Sequence, residues 1–427
     1  MGNYFVSAYP PFSIWNEDGT KAFGRLLRSA PTSPQSESLG LYFHIPFCVE
    51  RCHYCYFLSY EDRSSDMDRY LDALSQELAL YAESPALSGR KISFVYFGGG
   101  TPSLLSTARI RRLMQQLQQA FPWTEALEVS FECAPKSVTE NKCRALRESG
   151  VTRLSLGVQQ LDDDVLRQNG RIHSSSDVAR AYEAIRSVGF DVVNIDLMTG
   201  LLGETEESFH RSLDGVLELS PESVTIYQLE IPFNTPLYRA LSDGKLGSVP
   251  STWKTKRARL GQGFARLEEA GYTIRSGYTA VRDPVRHRFV YQDEQYRGAD
   301  LLGIGVSSFS YVSGIHQQNL ASLEGYLHAL AGNQRPTWRA HGLSSEERMV
   351  REFVLQLKLG RVQAGLFRKK FDTEIFEFFA EPLARFAQKE WLRMQDDAVT
   401  LTREGLLRVD HLIPDFYLPR HRRLSYC

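Results

Sequence analysis

The sequence predicts an α/β fold: a partial (β/α)6 TIM-like barrel with an N-terminal arm and a small, mainly helical, winged-helix-like C-terminal domain. Three observations predict it. Strand-like and helical patterns alternate six times through the centre of the chain, residues 1–40 are polar and contain several prolines, and a helix-rich pattern fills the C-terminal part. The expected boundaries are residues 1–40 for the arm, 41–340 for the barrel and its extension, and 341–427 for the C-terminal domain.

The barrel is expected from short apolar runs that lie next to helical patterns. In the first helical pattern Tyr70, Leu71, Leu74 and Leu78 recur at helical spacing. The expected strands contain LGLYFHIP, KISFVYFGGG, EALEVSFECAP, VTRLSLGVQ, FDVVNIDLMTG and SVTIYQLEI. Such alternation is typical of βα units with a parallel sheet, and in such a barrel the chemical groups gather at the C-terminal ends of the strands.

The two flanks of the chain have different patterns. Residues 1–40 include Pro10 and Pro11 together with several serines, so an extended arm is expected there. From about Ser345 the pattern predicts three helices, and the segment AVTLTREG predicts a β-hairpin. Because acidic residues dilute the basic charge of this winged-helix-like unit, we expect it to act as a lid or to shape a substrate site rather than to bind DNA.

Composition narrows the class of protein. The 427 residues are 42% hydrophobic, enough for a sizeable core, and carry a formal net charge of −1, so no global charge favours a nucleic-acid partner. The sequence has no apolar run of transmembrane length, and Met1 to Ala30 lacks the apolar core of a signal peptide. The chain is therefore expected to be a cytoplasmic monomer with no membrane partner.

Three cysteines follow the first expected strand. Cys48, Cys52 and Cys55 form a C-x3-C-x2-C pattern. In a reducing compartment, closely spaced cysteines are more often metal-binding or catalytic than disulfide-bonded. A structural zinc site needs four ligands, and His53, the nearby candidate for the fourth, lies awkwardly inside the tight loop. Three thiolates around a [4Fe–4S] cluster fit the spacing better and leave one iron open.

The loop CVERCHYC resembles the signature of the radical S-adenosylmethionine (SAM) superfamily, C-x3-C-x-aromatic-C, with Tyr54 as the aromatic residue. The resemblance implies a [4Fe–4S] cluster whose open iron chelates the amino and carboxylate groups of SAM. One electron from the cluster then releases a 5′-deoxyadenosyl radical, while the protein positions and shields the reactants. A reducing partner such as flavodoxin or ferredoxin is implied as well.

The resemblance continues along the barrel, from about Tyr42 to Ser310. The segment FGGGTPS is similar to the one that binds the SAM amino group, and its glycines allow close backbone approach. Glu132 suits a ribose hydroxyl, and Arg171 is expected to face the SAM carboxylate. The residues that the resemblance implies for SAM binding are Tyr42, Tyr54, Gly99, Gly100, Thr101, Glu132, Gln159, Arg171, Asp196, Met198 and Phe309.

Within the superfamily, several blocks resemble the group of oxygen-independent coproporphyrinogen III dehydrogenase, the HemN-like group; the clearest are YFHIPFC, FGGGTPS and DLLGIGVSSFS. Four functions compete in this group: oxidative decarboxylation of porphyrinogen propionates, haem chaperoning, anaerobic haem ring opening, and class C radical SAM C-methylation. The porphyrinogen enzyme has a further cysteine where this chain has Phe57. The H-N-x-x-Y-W segment of the chaperone branch is matched only in part, by HRFVYQ from His287 to Gln292.

Phe57, the arm segment SAYPPFSIWN and the segment FVYQD are most similar to the class C methyltransferases. The sequence therefore predicts a C-methylating or cyclopropane-forming enzyme of natural-product biosynthesis that uses two SAM molecules on an aromatic or unsaturated small molecule. Tyr291 and Gln292 are the expected catalytic positions, at the second SAM together with Phe309. Residues that could transfer a proton are Tyr227, Glu230 and His316.

Overall fold

The computed structural model describes residues 8–30, 39–61, 63–245 and 249–424. The strands are β1 Leu39–Ile45, β2 Ile92–Gly99, β3 Glu128–Cys133, β4 Arg153–Gln159, β5 Val192–Thr199, β6 Ser223–Gln228, β7 Thr273–Ile274, β8 Thr279–Val281, β9 Asp300–Ile304, β10 Phe309–Val312, β11 Ile315–Asn319, β12 Thr337–Gly342, β13 Arg361–Gln363, β14 Leu392–Gln395 and β15 Ala398–Leu401. The helices are α1 Glu17–Arg28, α2 Met67–Ala82, α3 Thr107–Ala120, α4 Glu140–Glu148, α5 Asp163–Gln168, α6 Ser175–Val188, α7 Glu206–Leu219, α8 Pro236–Ser242, α9 Trp253–Glu269, α10 Val290–Tyr296, α11 Leu323–Ala331, α12 Ser345–Leu357, α13 Ala364–Phe371, α14 Ile375–Phe378, α15 Ala380–Gln388, α16 Arg403–Leu406 and α17 Val409–Leu412.

A twelve-stranded sheet forms the centre of the molecule, in the order β12-β11-β10-β9-β1-β2-β3-β4-β5-β6-β8-β7. Strands β1 to β6 are parallel neighbours, which confirms the six predicted strand–helix units of a partial barrel. Strand β9 pairs in parallel with β1 and adds a seventh parallel strand that the sequence analysis did not assign. Antiparallel strands extend both edges of the sheet.

The sheet has one face against helices and one polar face that lines the lumen of the partial barrel. In β1, Leu41, Phe43 and Ile45 are fully buried against the helical layer, so the residues between them, Tyr42 and His44, lie on the opposite face. The register carries this face across the sheet, because Glu132 pairs with Ser155, Asp196 with Gly157, and Met198 with Tyr227. Polar and aromatic side chains that alternate with core residues therefore meet in the lumen.

The helices that cover the barrel are amphipathic. Helix α2 buries Tyr70, Leu71, Leu74 and Leu78 against the sheet, as their helical spacing predicts. Helix α6 starts at a capping box built from Ser174 and ends at a left-handed glycine, so both of its ends are satisfied locally. Within the described ranges, no helix is both long and apolar enough to cross a membrane.

The N-terminal segment corrects one expectation. Residues 17–28 form helix α1 rather than an extended arm, because Phe23 and Leu27 bury one face of an otherwise polar stretch. The chain before α1 also packs, with Phe12 and Trp15 buried. Part of the predicted arm, residues 1–7 and 31–38, lies outside the described residues, so its boundary at residue 40 stays a prediction.

The C-terminal unit has its own apolar core, centred on Phe353, Phe379 and Phe416. Its helices pack around a small antiparallel sheet in the order β13-β15-β14. The hairpin is offset from the predicted one: β14 and β15 pair through a turn at Asp396 and Asp397, both with positive φ, and the residues after β15 begin α16. The mainly helical character is confirmed, while the boundary at residue 341 stays a prediction.

Candidate active site

The three motif cysteines lie in the loop that follows β1, at the edge of the sheet where the parallel strands end. The loop is held at its base because Cys48 donates its backbone N–H to the carbonyl of Tyr60, at 3.1 Å, and Tyr60 donates back to the carbonyl of Pro46, at 2.6 Å. Inside the loop, the N–H of Cys55 donates to the carbonyl of Cys52 at 3.1 Å. The backbone thus folds the cysteines into one compact turn.

The three thiols are free and partly buried, and they lie close enough to influence one another electrostatically. Burial raises the pKa of Cys55 to about 11, and the charges of Cys52 and Cys48 add to this effect. Burial also raises the pKa of Cys48, against a hydrogen bond from Thr101. Such a site favours neutral thiols until a cation offsets the thiolate charges, which is what binding of iron provides.

His53, the candidate fourth ligand of a zinc site, is anchored beside the cysteine loop through its backbone and one ring nitrogen. The Nδ1 atom of His53 lies 3.2 Å from the carbonyl oxygen of Gln168, and its backbone is bonded to Asn169 and Leu237. In the described parts of the chain, no three His, Cys, Asp or Glu side chains are arranged to hold a single metal ion. In a [4Fe–4S] cluster each cysteine binds a different iron, so this arrangement is not required of the three cysteines.

Arg171 places a cation beside the cysteine loop. Its Nη1 lies 3.1 Å from the sulfur of Cys52, and its Nη2 donates to the carbonyl of Gly157 at 2.5 Å. Its Nε is buried and has no partner among the described residues, and the same holds for the Oε1 of Gln159 at the end of β4. A guanidinium and an amide with unused bonding capacity, next to three thiols, can hold a polar ligand.

The glycine segment after β2 packs against the start of the cysteine loop. Gly100 donates to the carbonyl of Ile45 at 2.9 Å, and Thr101 donates to that of Phe47 at 2.8 Å. The hydroxyl of Thr101 also lies 3.5 Å from the sulfur of Cys48. Gly99 has φ +114°, and a Cβ there would lie 2.5 Å from the Nδ1 of His44, so this position requires glycine. The structure therefore brings Gly99, Gly100 and Thr101 to the cysteines.

Glu132, at the end of β3, lies beside the same glycine segment. Its carboxylate accepts the hydroxyl of Tyr96 at 2.6 Å and the N–H of Gly99 at 3.2 Å. Burial raises its pKa to about 7, and the negative charge of Asp196 contributes. Tyr96 is a site residue that the sequence analysis missed. Its position two residues before Gly98, on the same face of β2, is the signal that could have found it.

Asp196 supplies a second buried carboxylate on the lumen face. It accepts the hydroxyl of Ser155 at 2.9 Å and the amide of Asn194 at 2.8 Å. Burial raises its pKa to about 6, although these two hydrogen bonds oppose the shift. Two neighbouring carboxyl groups that resist ionisation favour a cationic or hydroxyl-bearing ligand between them.

Aromatic rings line the lumen next to these carboxylates. Tyr42 stacks on Tyr96, with ring centroids 6.0 Å apart, and Tyr291 packs on Tyr96 at 4.5 Å. Tyr291 belongs to α10, which is packed inside the lumen against Tyr42 and Phe94. Gln292 on the same helix forms a hydrogen bond with Tyr296. Tyr291 therefore reaches the lumen, while the catalytic roles of Tyr291 and Gln292 stay predictions.

Two further predicted SAM residues lie on the other side of the cysteine loop. Tyr54 is buried next to the sulfur of Cys52. Met198 and Tyr54 pack together against a small apolar cluster that includes Leu201 and Leu229. The structure thus brings Met198 close to the loop, as the sequence pattern predicts.

Phe309 and His316 lie in the strands that extend the sheet edge, next to the N-terminal segment. The ring of Phe309 stacks on Phe12 of the N-terminal segment, at 5.0 Å. His316 stacks on Trp15 at 5.0 Å, and its Nε2 lies 3.0 Å from the carbonyl oxygen of Tyr9. The neighbours of His316 are therefore Trp15 and the carbonyl of Tyr9 rather than Glu132 or Asp196. Tyr227, another proton-transfer candidate, lies close enough to these two carboxylates for their charges to raise its pKa.

The donor set of this lumen fits a cluster and SAM. Three thiols without disulfide partners lie beside Arg171, Gln159 offers an unpaired amide oxygen, and the buried carboxyl groups of Glu132 and Asp196 face the same space. Thiolates suit iron, and the carboxylates suit an ammonium group or ribose hydroxyls. The assignment of single atoms of SAM to these residues stays a prediction.

Two family models match this chain. Residues 42–215 match the model of the radical SAM superfamily, and residues 343–408 match the model of the HemN C-terminal domain. The solved structure of coproporphyrinogen III oxidase (HemN) from Escherichia coli, described as a radical SAM enzyme, is similar with a TM-score of 0.84 and 28% identity, over 97% of this chain and 96% of that one.

Two curated relatives are similar over most of their length. The heme chaperone HemW of Bacillus subtilis (strain 168) is 31% identical over 86% of this chain and 96% of its own. Oxygen-independent coproporphyrinogen III oxidase of Escherichia coli (strain K12) is 30% identical over 98% of this chain and 94% of its own.

These similarities overturn the predicted function. The relatives are a coproporphyrinogen oxidase and a heme chaperone, so the prediction of a C-methylating or cyclopropane-forming enzyme of natural-product biosynthesis is wrong. That prediction gave too much weight to Phe57, whose side chain is 44% exposed. Its backbone N–H, which any residue offers, is the group that bonds to Cys55. The identity of one exposed side chain is therefore weaker evidence of function than similarity to relatives along the whole chain.

Proposed function

We propose a function from one premise: this chain belongs to the radical SAM superfamily, in the group whose members carry a HemN C-terminal domain. Its cofactors are a [4Fe–4S] cluster and SAM. We infer that it is an oxygen-independent porphyrinogen oxidase, which converts propionate side chains of a coproporphyrinogen-type tetrapyrrole into vinyl groups with loss of carbon dioxide.

The observation that carries this proposal is the agreement of the entire chain, including the C-terminal unit, with a coproporphyrinogen oxidase. The similar fold spans 97% of this chain at a TM-score of 0.84. A shared barrel alone would support only the radical SAM chemistry, because one fold hosts many reactions. A shared C-terminal unit also supports a similar shape of substrate site.

A [4Fe–4S] cluster held by Cys48, Cys52 and Cys55 would supply the electron for reductive cleavage of bound SAM. The residues of the chain position and shield the reactants. Arg171, 3.1 Å from the sulfur of Cys52, is placed to hold a carboxylate at the cluster. Glu132 and Asp196 offer their carboxyl groups to ammonium or hydroxyl groups, and the rings of Tyr42 and Tyr96 exclude water from one side of the lumen.

The mouth of the lumen suits a large, flat and partly apolar substrate. Apolar side chains are exposed in segments that follow the parallel strands: Phe57 after β1, and Phe233 after β6, are 44% and 54% exposed. Tyr227, near the end of β6, is 43% exposed although its hydroxyl lies near the buried carboxylates. A tetrapyrrole can cover such residues with its ring while one side chain enters the lumen.

The experiment is anaerobic turnover with a defined substrate. The chain is reconstituted with iron and sulfide, then incubated with SAM, dithionite and coproporphyrinogen III, and the products are identified by mass spectrometry. We expect 5′-deoxyadenosine together with porphyrinogens in which propionates have become vinyl groups, and a one-electron acceptor is included because each decarboxylation releases an electron. Formation of 5′-deoxyadenosine with every propionate intact would contradict the proposal.

A haem-binding role is the second candidate, because the HemW chaperone is 31% identical over 86% of this chain. His287 is half-buried, and its Nδ1 atom has no hydrogen-bond partner among the described residues. A neutral imidazole is a haem ligand, and burial lowers the pKa of His287, which favours that form. Haem titration of the wild type and His287→Ala separates the two candidates: tight binding that depends on His287, without porphyrinogen turnover, supports the chaperone.

A further inference from the structure

A buried ion pair inside the C-terminal unit lies against the barrel. The Nζ of Lys358, just after α12, lies 2.7 Å from the Oδ1 of Asp410 in α17, and the side chain of Lys358 is only 8% exposed. Tyr278 of the barrel donates its hydroxyl to the same carboxylate, at 2.6 and 2.7 Å. The N–H of Gly277 donates to the carbonyl of Lys358 at 2.8 Å, which fixes its backbone.

A second ammonium group and a second carboxyl group lie near this ion pair. Lys256 lies in the same electrostatic neighbourhood, with its Nζ 2.6 Å from the carbonyl of Leu229 and 3.8 Å from the ring centroid of Trp253. Glu230 is the nearby acid, and burial raises its pKa to about 7, so it is ionised only in part at neutral pH. Burial lowers the pKa of Lys256 to about 8, whereas for Lys358 the carboxylate of Asp410 outweighs burial and raises the pKa, so Lys358 is the ammonium group that stays fully charged and can pair with an anion.

One aromatic pair connects the cluster of charges to the reaction site. The ring of Tyr278, which bonds to Asp410, lies 6.0 Å from the ring of Tyr227. The hydroxyl of Tyr227 is within the electrostatic reach of Asp196 and Glu132. Tyr227, which is 43% exposed, therefore lies between the two sets of charges.

We propose that Lys358 binds a carboxylate side chain of the substrate at the mouth of the lumen, and that Asp410 and Tyr278 hold its ammonium group in place. This subsite rests on the proposed function and deepens it, because it names the chemical group that the C-terminal unit recognises. An ammonium group has three N–H donors, and among the described residues the structure gives Lys358 one side-chain acceptor, Asp410. A tetrapyrrole carries several propionates, so one of them can bind Lys358 while another enters the lumen.

A purely structural ion pair makes a different prediction from a binding site. If Lys358 and Asp410 only stabilise the C-terminal unit and its contact with Tyr278, removal of either partner weakens the same contact. If Lys358 binds a substrate carboxylate, Asp410 competes with that carboxylate for the ammonium group. Lys358→Met and Asp410→Asn should then change the affinity for a carboxylate ligand in opposite directions.

The test measures equilibrium binding of coproporphyrin III, the stable oxidised tetracarboxylate, and of its tetramethyl ester, by fluorescence on the full-length protein. Lys370→Met is the matched control, because Lys370 forms a 2.7 Å ion pair with Glu352 in the same unit but is 42% exposed. Lys358→Arg is the conservative variant, and a thermal melt of each variant reports folding.

We expect Lys358→Met to weaken binding of the free acid by about tenfold to a hundredfold, as loss of a charge-assisted hydrogen bond implies, with little change for the ester. Asp410→Asn should bind the acid at least as tightly as the wild type, Lys358→Arg should recover part of the affinity, and Lys370→Met should match the wild type.

Equal affinity of the wild type and Lys358→Met for the acid would overturn the subsite and leave the proposed function intact. Equal weakening by Lys358→Met and Asp410→Asn would also overturn it, in favour of a structural pair. A wild-type protein that binds neither porphyrin and does not convert coproporphyrinogen III would remove the proposed function, and the subsite with it.

Discussion

Two glutamates, in two regions of the molecule, have the same shifted acidity and different surroundings. Glu77 of α2 and Glu132 of β3 each have a pKa raised to about 7 by burial. Glu77 accepts the hydroxyl of Tyr326 and the amide of Asn319, both at 2.6 Å, and the N–H of Gly305 at 2.8 Å. These three donors hold the loop after β9 against the core.

Glu132 has fewer donors and a like charge nearby. It accepts two hydrogen bonds, from Tyr96 and Gly99, and the charge of Asp196 disfavours its ionised form. The network of Glu77 is closed within the protein, whereas that of Glu132 opens on the lumen. A raised pKa alone therefore does not identify a binding site; the partners of the group do.

The largest effect is expected at the cysteine loop, the part of the site that Glu132 faces and Glu77 does not. Cys52→Ala removes one of the three thiols and the sulfur that faces Arg171, so cluster content and 5′-deoxyadenosine formation should fall to background. Iron analysis and anaerobic turnover measure this. Cys143→Ala, a buried cysteine of α4, is the control and should keep the cluster. A fully active Cys52→Ala would show that the loop does not hold the cluster.

The next effect is the dependence of stability on pH. Because the pKa of Glu77 is raised from 4.5 to about 7, the folded state binds its proton more tightly than the unfolded state does. Protonated Glu77 therefore stabilises the folded state, fully below pH 4.5 and less as the pH rises to about 7. The loss in the free energy of unfolding is about 3 kcal/mol at most for this one group.

The contribution of Glu77 is the difference between the wild type and Glu77→Gln in the free energy of unfolding, measured by urea from pH 4.5 to 8. We expect the difference to fall as the pH rises and to level off above pH 7. Glu83→Gln, at the exposed end of α2, should give no such slope. A difference that rises with pH would mean that Glu77 is ionised more easily in the folded protein.

The direct comparison of the two glutamates comes third. Glu77→Gln places the NH2 group of an amide among three hydrogen-bond donors. The free energy of unfolding should therefore fall by about 1–3 kcal/mol at neutral pH, while the affinity for SAM should change little. Glu132→Gln should do the reverse, with SAM affinity reduced by about tenfold or more and stability near that of the wild type. Calorimetry of SAM binding and urea unfolding measure the two quantities. If both variants lost stability and kept SAM affinity, the distinction between the regions would fail.

The smallest effect is expected at Phe57. Its side chain is 44% exposed, so Phe57→Ala should change stability by less than about 0.5 kcal/mol and leave the cluster in place. Tyr56, whose ring lies 4.6 Å away, covers part of the same surface. Iron content and the product pattern of the variant check this. A change in the type of product on substitution of Phe57 would restore the weight that the sequence analysis gave to this position.

Much of the fold follows from local sequence patterns, and the errors lie where long-range contacts decide. The parallel strands β1 to β6 were predicted because each has a local apolar pattern. Strand β9 was missed because its role depends on pairing with β1, far away in sequence. Helix α1 was missed because only Phe23 and Leu27 mark its buried face in a polar segment.

The same distinction applies to the candidate site. The cysteines follow from their spacing, the glycine segment and Arg171 follow from the family resemblance, and the structure brings them together. Tyr96 was missed because a tyrosine within a strand is typical of a core residue. Only the register of the sheet shows that its hydroxyl lies beside Glu132. Lys358 and Asp410 were missed because they are far apart in sequence and meet only when the C-terminal unit folds. The reaction type was predicted wrongly because Phe57 and two short segments were given more weight than similarity along the whole chain.

The central claim is that the lumen beside Glu132 directs radical chemistry at a propionate side chain. Loss of carbon dioxide with formation of a vinyl group requires a hydrogen to leave the propionate carbon next to the ring. The most direct measurement uses coproporphyrinogen III with deuterium on that carbon and follows the label by mass spectrometry. We predict deuterium in 5′-deoxyadenosine together with the vinyl product. Unlabelled 5′-deoxyadenosine from this substrate, with label acquired instead from methyl-deuterated SAM, would contradict the account.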